Sequence, residues 1–319
     1  MRIRFFGSEI EILTPAKVNL FLELLGRRED GFHELETVIS SVSLFDTVRF
    51  HSRNDDQIRI RISQTSDNSK EEFIPTDERN LIVRAMKLCR KTHLGHNNQR
   101  VTRSYGADIE CIKRIPSQAG LGGASGNAAA AIIAANRLWQ CNFTLKQMQH
   151  IGAQLGSDVP YFLSGGTAVC RGRGEQVSQV SGPTGQWIVI AKPPVGLSTK
   201  QVFGNCSVPE ELESPRSLLA YLSSGHVQKI GSRLFNRLQI YASEMTDWID
   251  RLQASFSRVN CLGHQMTGSG SSYFGVFFSR IAASNAANCL SNRHSDAKIF
   301  TCHTLNQFQL TNSRAIAVE

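Results

Sequence analysis

The chain has no cysteine pair at CxxC spacing, no Gly-Lys dipeptide and no long apolar run. Each absence excludes something. The eight cysteines stand at 89, 111, 141, 170, 206, 261, 289 and 302. So dispersed, they read as reduced thiols, mostly small buried hydrophobes, and a metal site is disfavoured. His93 and His96 form an HxxH, read here as surface-loop residues rather than ligands. Without Gly-Lys there is no Walker A loop. The protein-kinase triplets HRD and DFG are missing as well. The longest stretch without a polar residue, Ala128 to Ala135, is far too short to span a bilayer. The opening "MRIRFFGSEIEIL" lacks the apolar core of a signal peptide. The expectation is a cytoplasmic protein with no membrane partner.

The composition, 41% hydrophobic and 19% charged, is that of an ordinary globular protein. At 319 residues the chain exceeds one usual core and suits two domains. Lys and Arg number 35 against 27 Asp and Glu, a net +8. That excess suits an anionic ligand. The basic residues are scattered and form no dense block interleaved with aromatics, so nucleic acid is not expected as a partner.

Along the chain, "AKVNLFLELL" (16–25) alternates as a strand does. Val18, Leu20, Leu22 and Leu24 share one face; Lys17, Asn19, Phe21 and Glu23 share the other. Lys and Asn beside an aromatic suit the wall of a site. "GRREDG" (26–31) is a turn, and strands follow at 35–43 and 47–52. Residues 63–79 read as a surface loop, 80–94 as a helix and 107–115 as a strand. From Asn127 the spacing becomes helical, with Ala128, Ile132, Ala135 and Trp139 on one face. A second helix starts at Thr144, which with Gln147 fits a capping box, and stops at Gly156. "SDVPYFLSGG" (157–166) reads as a loop because Pro160 opposes helix continuation. A strand at 186–194 opens the second half. Helices are expected near 215–223, 226–234, 242–256 and 280–292. Strands are expected at 259–267, 272–278 and 297–304. The domain boundary falls in "SQVSGPTGQ" (178–186), giving domains 1–182 and 183–319. No internal repeat is evident.

The most informative stretch is "RIPSQAGLGGASGNAAAAI" (114–132). A strand runs into a small-residue loop and then into an uncharged helix start. Glycines let backbone N–H groups approach a ligand closely. The unpaired N–H groups and positive pole of a helix N-terminus favour a polyphosphate. Ser125 and Asn127 add short polar groups. The dinucleotide pattern G-x-G-x-x-G fails, because Ser125 stands third after Gly120 and Gly122.

Four segments occur in order: "TPAKVNLFLELLGRREDGFHELETV" (14–38), "IPSQAGLGGASGNAAAAI" (115–132), "LGSDVPYFLSGGTAVCRGRGE" (155–175) and "MTGSGSSYFGVF" (266–277). Together they closely resemble the GHMP kinase superfamily, over nearly the whole chain. The resemblance implies a two-domain α+β fold, with a ribosomal-protein-like β/α first half and a ferredoxin-like second half. ATP and Mg²⁺ would bind between them, and a small-molecule cytidyl diphosphate alcohol would accept the phosphoryl group. Lys17 and Asp158 match the catalytic pair. Pro116, Gly120, Leu121, Gly122, Gly123, Ala124, Ser125, Gly126 and Asn127 match the ATP-binding motif. Asn19 matches a substrate contact. Phe32, His33 and Phe203 match a cytosine pocket, two aromatics for the ring faces and a histidine for its edge. Thr267, Gly268, Ser269 and Gly270 would close over phosphates and substrate from the second half.

Two residues depart from the family pattern. Ala124 stands where glycine is usual and a positive φ is in question, and Gly126 lacks a hydroxyl. Ser125 would then be the one hydroxyl left as a metal ligand. A homoserine, mevalonate or sugar kinase of the same superfamily is the nearest alternative. A non-catalytic nucleic-acid-binding protein is a more distant one. Nothing in the sequence separates a monomer from a homodimer.

Overall fold

The alternation around Lys17 belongs to a strand much longer than its apolar core suggests. In the structure, a computed structural model that describes residues 1–7, 9–64, 73–96 and 104–308, β2 spans Glu9–Arg27. It pairs with β1 (Arg2–Phe6) and along its whole length with β3 (His33–Arg53). The two strands expected at 35–43 and 47–52 are thus one. The register shifts between Asn19 and Phe21, where two residues of β2 face one of β3. This bulge reverses the alternation. Phe21 turns into the core with Val18 and Leu20, and Leu22 takes the cleft-facing place expected of Phe21.

The first sheet is completed by β4 (Ile58–Gln64), β5 (Gly106–Lys113), β6 (Thr167–Arg171) and β7 (Gln176–Gln179), in the order β1-β2-β3-β5-β4 with β6 and β7 beside β3. Its helices are α1 (Leu81–His96), α2 (Gly123–Leu138), α3 (Leu145–Leu155) and the single turn α4 (Val159–Phe162). The alanine run of α2 is wholly buried, which lets α1 and the sheet approach its axis closely. Thr144 and Gln147 form the capping box as expected. Pro160 does not prevent a helix here: it lies in the first turn of α4, where its missing N–H has no partner to lose. His93 lies on α1 rather than in a loop, its ring against Tyr105 and Phe143. The side chain of His96 lies outside the described residues. Five of the eight cysteines are buried and all are free thiols.

The second sheet has the order β10-β11-β8-β12, from β8 (Trp187–Lys192), β10 (Gly263–Met266), β11 (Tyr273–Phe277) and β12 (Lys298–His303). It carries α5 (Thr199–Gly204), α6 (Arg216–Ser224), α7 (Val227–Ile230), α8 (Leu238–Ser243), α9 (Trp248–Phe256) and α10 (Arg280–Arg293). The helix expected over 242–256 is broken between α8 and α9. Two residues of the second half, β9 (Phe235–Asn236), join the first sheet in parallel beside β2. Just after them Arg237 donates to both oxygens of the fully buried Glu23, at 2.8 and 2.7 Å. That pair fixes β2 against the second half. No described helix is long and apolar enough to cross a membrane.

Candidate active site

A cleft of about 1080 Å³ opens between the halves. At its centre Lys17, on β2, is 4% exposed, which a lysine tolerates only with partners. Its Nζ donates to Asn19 Oδ1 at 2.6 Å and lies 3.7 Å from Asp158 Oδ2. Asp158 is the residue before α4, yet its side chain caps no backbone N–H there. The carboxylate is committed to Lys17 and the cleft instead. Asn19 is held in turn: its Nδ2 donates to Thr37 Oγ1 at 2.9 Å, and its backbone N–H to Thr267 Oγ1 at 3.0 Å.

The glycine stretch forms one wall. Gly120 and Gly122 adopt φ of 70° and 71°, the left-handed region that glycine enters without strain. A Cβ on Gly120 would collide with the Thr267 carbonyl oxygen, and one on Gly122 would lie 2.8 Å from the Phe162 ring. Close packing, as well as backbone shape, requires both glycines. α2 begins at Gly123, not at Asn127, with Gly122 in the N-cap position and no side-chain cap. The amides of its first turn thus remain for a ligand, and the dipole adds positive potential. Ala124 is an ordinary helical residue, so its departure from glycine costs nothing in backbone strain. Ser125 lines the cleft beside it. Pro116, Leu121 and Gly123 contribute to the wall, and the Leu121 carbonyl accepts the Lys17 N–H at 3.0 Å. Asn127 also borders the cleft, but its side chain bonds inward to Thr14 and Asp46. Gly126 is buried within α2 and does not line the cleft.

From the second half, Gly268 and Ser269 reach the cleft. Thr267 and Gly270 stand behind them, Thr267 fully buried beneath Asn19. A Cβ on Gly268 would sit 3.1 Å from Lys17 Nζ, so this glycine lets the loop close over the lysine. Asn236 holds that loop, donating to the carbonyls of Met266 and Gly268, each at 2.9 Å.

One end of the cleft is aromatic. The rings of His33 and Phe203 lie 5.6 Å apart and tilted by 40°. Phe32 is half exposed, with the Arg173 guanidinium 4.8 Å from its ring centroid. Burial, with Arg27 nearby, lowers the His33 pKa below its ordinary 6.5. A neutral ring offers one donor and one acceptor. Ile62, Ile74, Pro75 and Leu81 add an apolar part of the lining.

The structure thus brings Lys17, Asn19, Asp158, the glycine stretch, Phe32, His33 and Phe203 to one cleft. It adds residues the sequence reading missed: Arg173, Thr199, Lys200 and Lys113. Thr199 shares a 2.9 Å hydrogen bond with Ser269, joining α5 to the glycine loop of the second half. Arg173 lay within a quoted motif, "CRGRGE", but nothing in the spacing marked it. Lys113 and Lys200 carried no signal at all.

Comparison with known proteins accords with this geometry. The model of the GHMP kinase N-terminal domain matches residues 80–166, and that of the C-terminal domain matches 218–296. A 4-diphosphocytidyl-2-C-methyl-D-erythritol kinase of Alkaliphilus metalliredigens is 33% identical over 89% of this chain and 93% of its own. One from Bacillus pumilus is 36% identical over 82% and 86%. A crystal structure of 4-(cytidine 5'-diphospho)-2C-methyl-D-erythritol kinase, 28% identical, superposes with a TM-score of 0.73 over 92% of this chain and 98% of its own. The cleft, the glycine wall and the two matched halves agree: the chain belongs to the GHMP kinase family.

Proposed function

We propose that this chain transfers the γ-phosphoryl group of ATP to the 2-hydroxyl of 4-diphosphocytidyl-2-C-methyl-D-erythritol, a step of non-mevalonate isoprenoid synthesis. The observation that carries the reading is the pair of buried Lys17 and partly exposed Asp158, 3.7 Å apart, set in a cleft with a helix N-terminus on one wall and two tilted rings at one end. The polyphosphate lies along the glycine stretch and the start of α2. Adenine fits the apolar wall of Ile62, Ile74, Pro75 and Leu81. The cytosine sits by Phe32, His33 and Phe203, with Arg173 and Lys200 near its diphosphate. We further read residues 1–182 as the ATP-binding half and 183–319 as the acceptor half.

Chemically, the acceptor oxygen bonds to the γ-phosphorus as the bond from that phosphorus to the ADP oxygen breaks, and the hydroxyl proton passes to Asp158. Catalysis of this kind is mainly positioning and charge neutralisation. Lys17 neutralises charge on the transferred group, and Asn19, braced by Thr37 and Thr267, orients the acceptor. Among the described residues no group of three or more His, Cys, Asp or Glu could hold a metal ion. Ser125, which lines the cleft at the start of α2, is the hydroxyl of the chain that would help hold Mg²⁺. Bound there, the ion would neutralise phosphate charge.

The aromatic end separates this acceptor from homoserine and mevalonate, which have no base to stack. ADP release with the cytidyl diphosphate acceptor, against homoserine and mevalonate, tests the reading. Turnover confined to the cytidyl compound is expected; equal or better turnover of either rival would replace it.

A further inference from the structure

Behind the glycine stretch lies a carboxylate that does not itself line the cleft. Asp46, on β3, is fully buried. Its Oδ1 accepts the backbone N–H groups of Arg114 and Ile115, at 2.7 and 2.8 Å. Its Oδ2 accepts Asn127 Nδ2 at 2.9 Å and pairs closely with Lys113 Nζ. Asn127 Oδ1 in turn accepts the Thr14 hydroxyl at 2.6 Å. Four donors thus converge on one buried anion, and they come from both sides of residues 116–126. Lys113, Arg114 and Ile115 are the chain entering the glycine stretch, and Asn127 is in the first turns of the helix leaving it.

We infer that Asp46 is a positioning residue for ATP: it clamps the entrance and exit of the phosphate loop together. The inference rests on the reading of the glycine stretch as the ATP site. A loop with so little side chain cannot fix its own shape. Gly120 and Gly122 hold left-handed backbone that the free chain would share among many states. Fixing both ends from one buried anion restricts those states without placing any side chain in the path of the phosphates. The Lys113 ammonium lies over the start of α2, 3.1 Å from where a Gly123 Cβ would stand. Asp46 thereby also decides where that charge sits relative to the helix N-terminus. The acceptor end of the cleft, at His33 and Phe203, touches none of these groups.

The test is Asp46→Asn, which keeps the shape but sets a donor against the donors of Lys113 and Asn127. Losing charge-assisted hydrogen bonds to a buried group should weaken the Kd for ATP, measured by calorimetry, at least about tenfold, and change the KM for the cytidyl acceptor by less than about twofold. Val48→Ala, a cavity in the same strand, serves as the stability control. It should lower Tm and leave the Kd for ATP unchanged. Asn127→Ala, which removes one of the four ties, should weaken ATP binding less than Asp46→Asn and carries the test if that variant does not fold. Wild-type ATP affinity in a folded Asp46 or Asn127 variant would overturn the inference. So would parallel losses for ATP and acceptor, or an equal loss in Val48→Ala. Calorimetry reads ATP binding without turnover, so an inactive wild type with the cytidyl acceptor would count against the proposed function alone.

Discussion

The glycine wall and the aromatic end of the cleft are built in opposite ways. The glycine wall is shaped by backbone, with left-handed glycines and a carbonyl against a Cα, and is tied from behind by a buried carboxylate that takes two backbone and two side-chain donors. The aromatic end is held by side chains, with Phe32 half exposed, His33 and Phe203 tilted against each other, and Arg173 laid over a ring. Polyphosphate is the same in every nucleoside triphosphate, so its site can be rigid and made of main chain. An acceptor must be chosen among many alcohols, and choice requires side chains. The comparison teaches that substitutions at the wall should act through shape, and those at the aromatic end through selectivity.

The largest effect is expected between the two. Asp158→Asn keeps the size of the group beside Lys17 but removes its charge. A fall in kcat of at least ~10²-fold, with little change in Tm, follows from the usual scale of general-base loss. Wild-type turnover would remove Asp158 from the chemistry.

Gly122→Val probes the rigid wall. A β-branched residue at φ 71° meets both a forbidden backbone and the Phe162 ring 2.8 Å away. Strain of about 1–3 kcal/mol is expected, read as lower Tm together with weaker ATP binding. The collision is with Phe162 and with Lys17 Cγ at 3.1 Å, so the damage should reach kcat as well. Unchanged Tm and ATP affinity would show the wall to be soft.

His33→Ala probes the selective end. Replacing cytosine by uracil exchanges donors and acceptors along one edge, and leaves buried partners unpaired at a cost of about 1–3 kcal/mol. Wild type should therefore prefer the cytidyl over the uridyl acceptor about tenfold or more in kcat/KM. The variant should narrow that preference and leave ATP affinity intact. The same residue predicts a pH effect. Burial lowers the His33 pKa below the ordinary 6.5, so the neutral ring predominates at neutral pH. The acceptor KM should be nearly constant above pH 7 and rise as acid protonates the ring. A rise that begins above pH 7 would contradict the assignment.

Ala124→Gly should have the smallest effect, and it sharpens the contrast within the glycine wall itself. Ala124 is helical, so restoring the familiar glycine should cost about 0.5–1 kcal/mol of stability and bring no gain in ATP affinity. Tighter ATP binding by the variant would mean that this position needs freedom the structure does not show.

Much of this was legible in the residues, and the failures have physical causes. The capping box at Thr144 and Gln147 is a purely local signal, and it was read correctly. Phe21 was misplaced because a bulge is a property of pairing between β2 and β3, invisible in either strand alone. The start of α2 was read four residues late. Glycine-rich sequence resembles loop, and only packing against Phe162 and the Thr267 carbonyl makes it helix and cap. The turn at Pro160 was missed for the opposite reason, since proline stops a helix from within but suits its first turn.

By itself the sequence determined which chemical groups this protein possesses: a lysine and an asparagine two apart on a strand, glycines leading into an alanine helix, an aspartate before Val-Pro. Those are local patterns, and strand and helix periods follow from backbone geometry alone. Only the tertiary structure decided that Lys17 and Asp158, 141 positions apart, would lie 3.7 Å from each other. It also decided that Asp46 would stand behind the glycine stretch, where four donors meet it. Such distances depend on how the sheets twist, bulge and close on one another. That is settled by burying whole surfaces at once, and no short stretch of chain carries it.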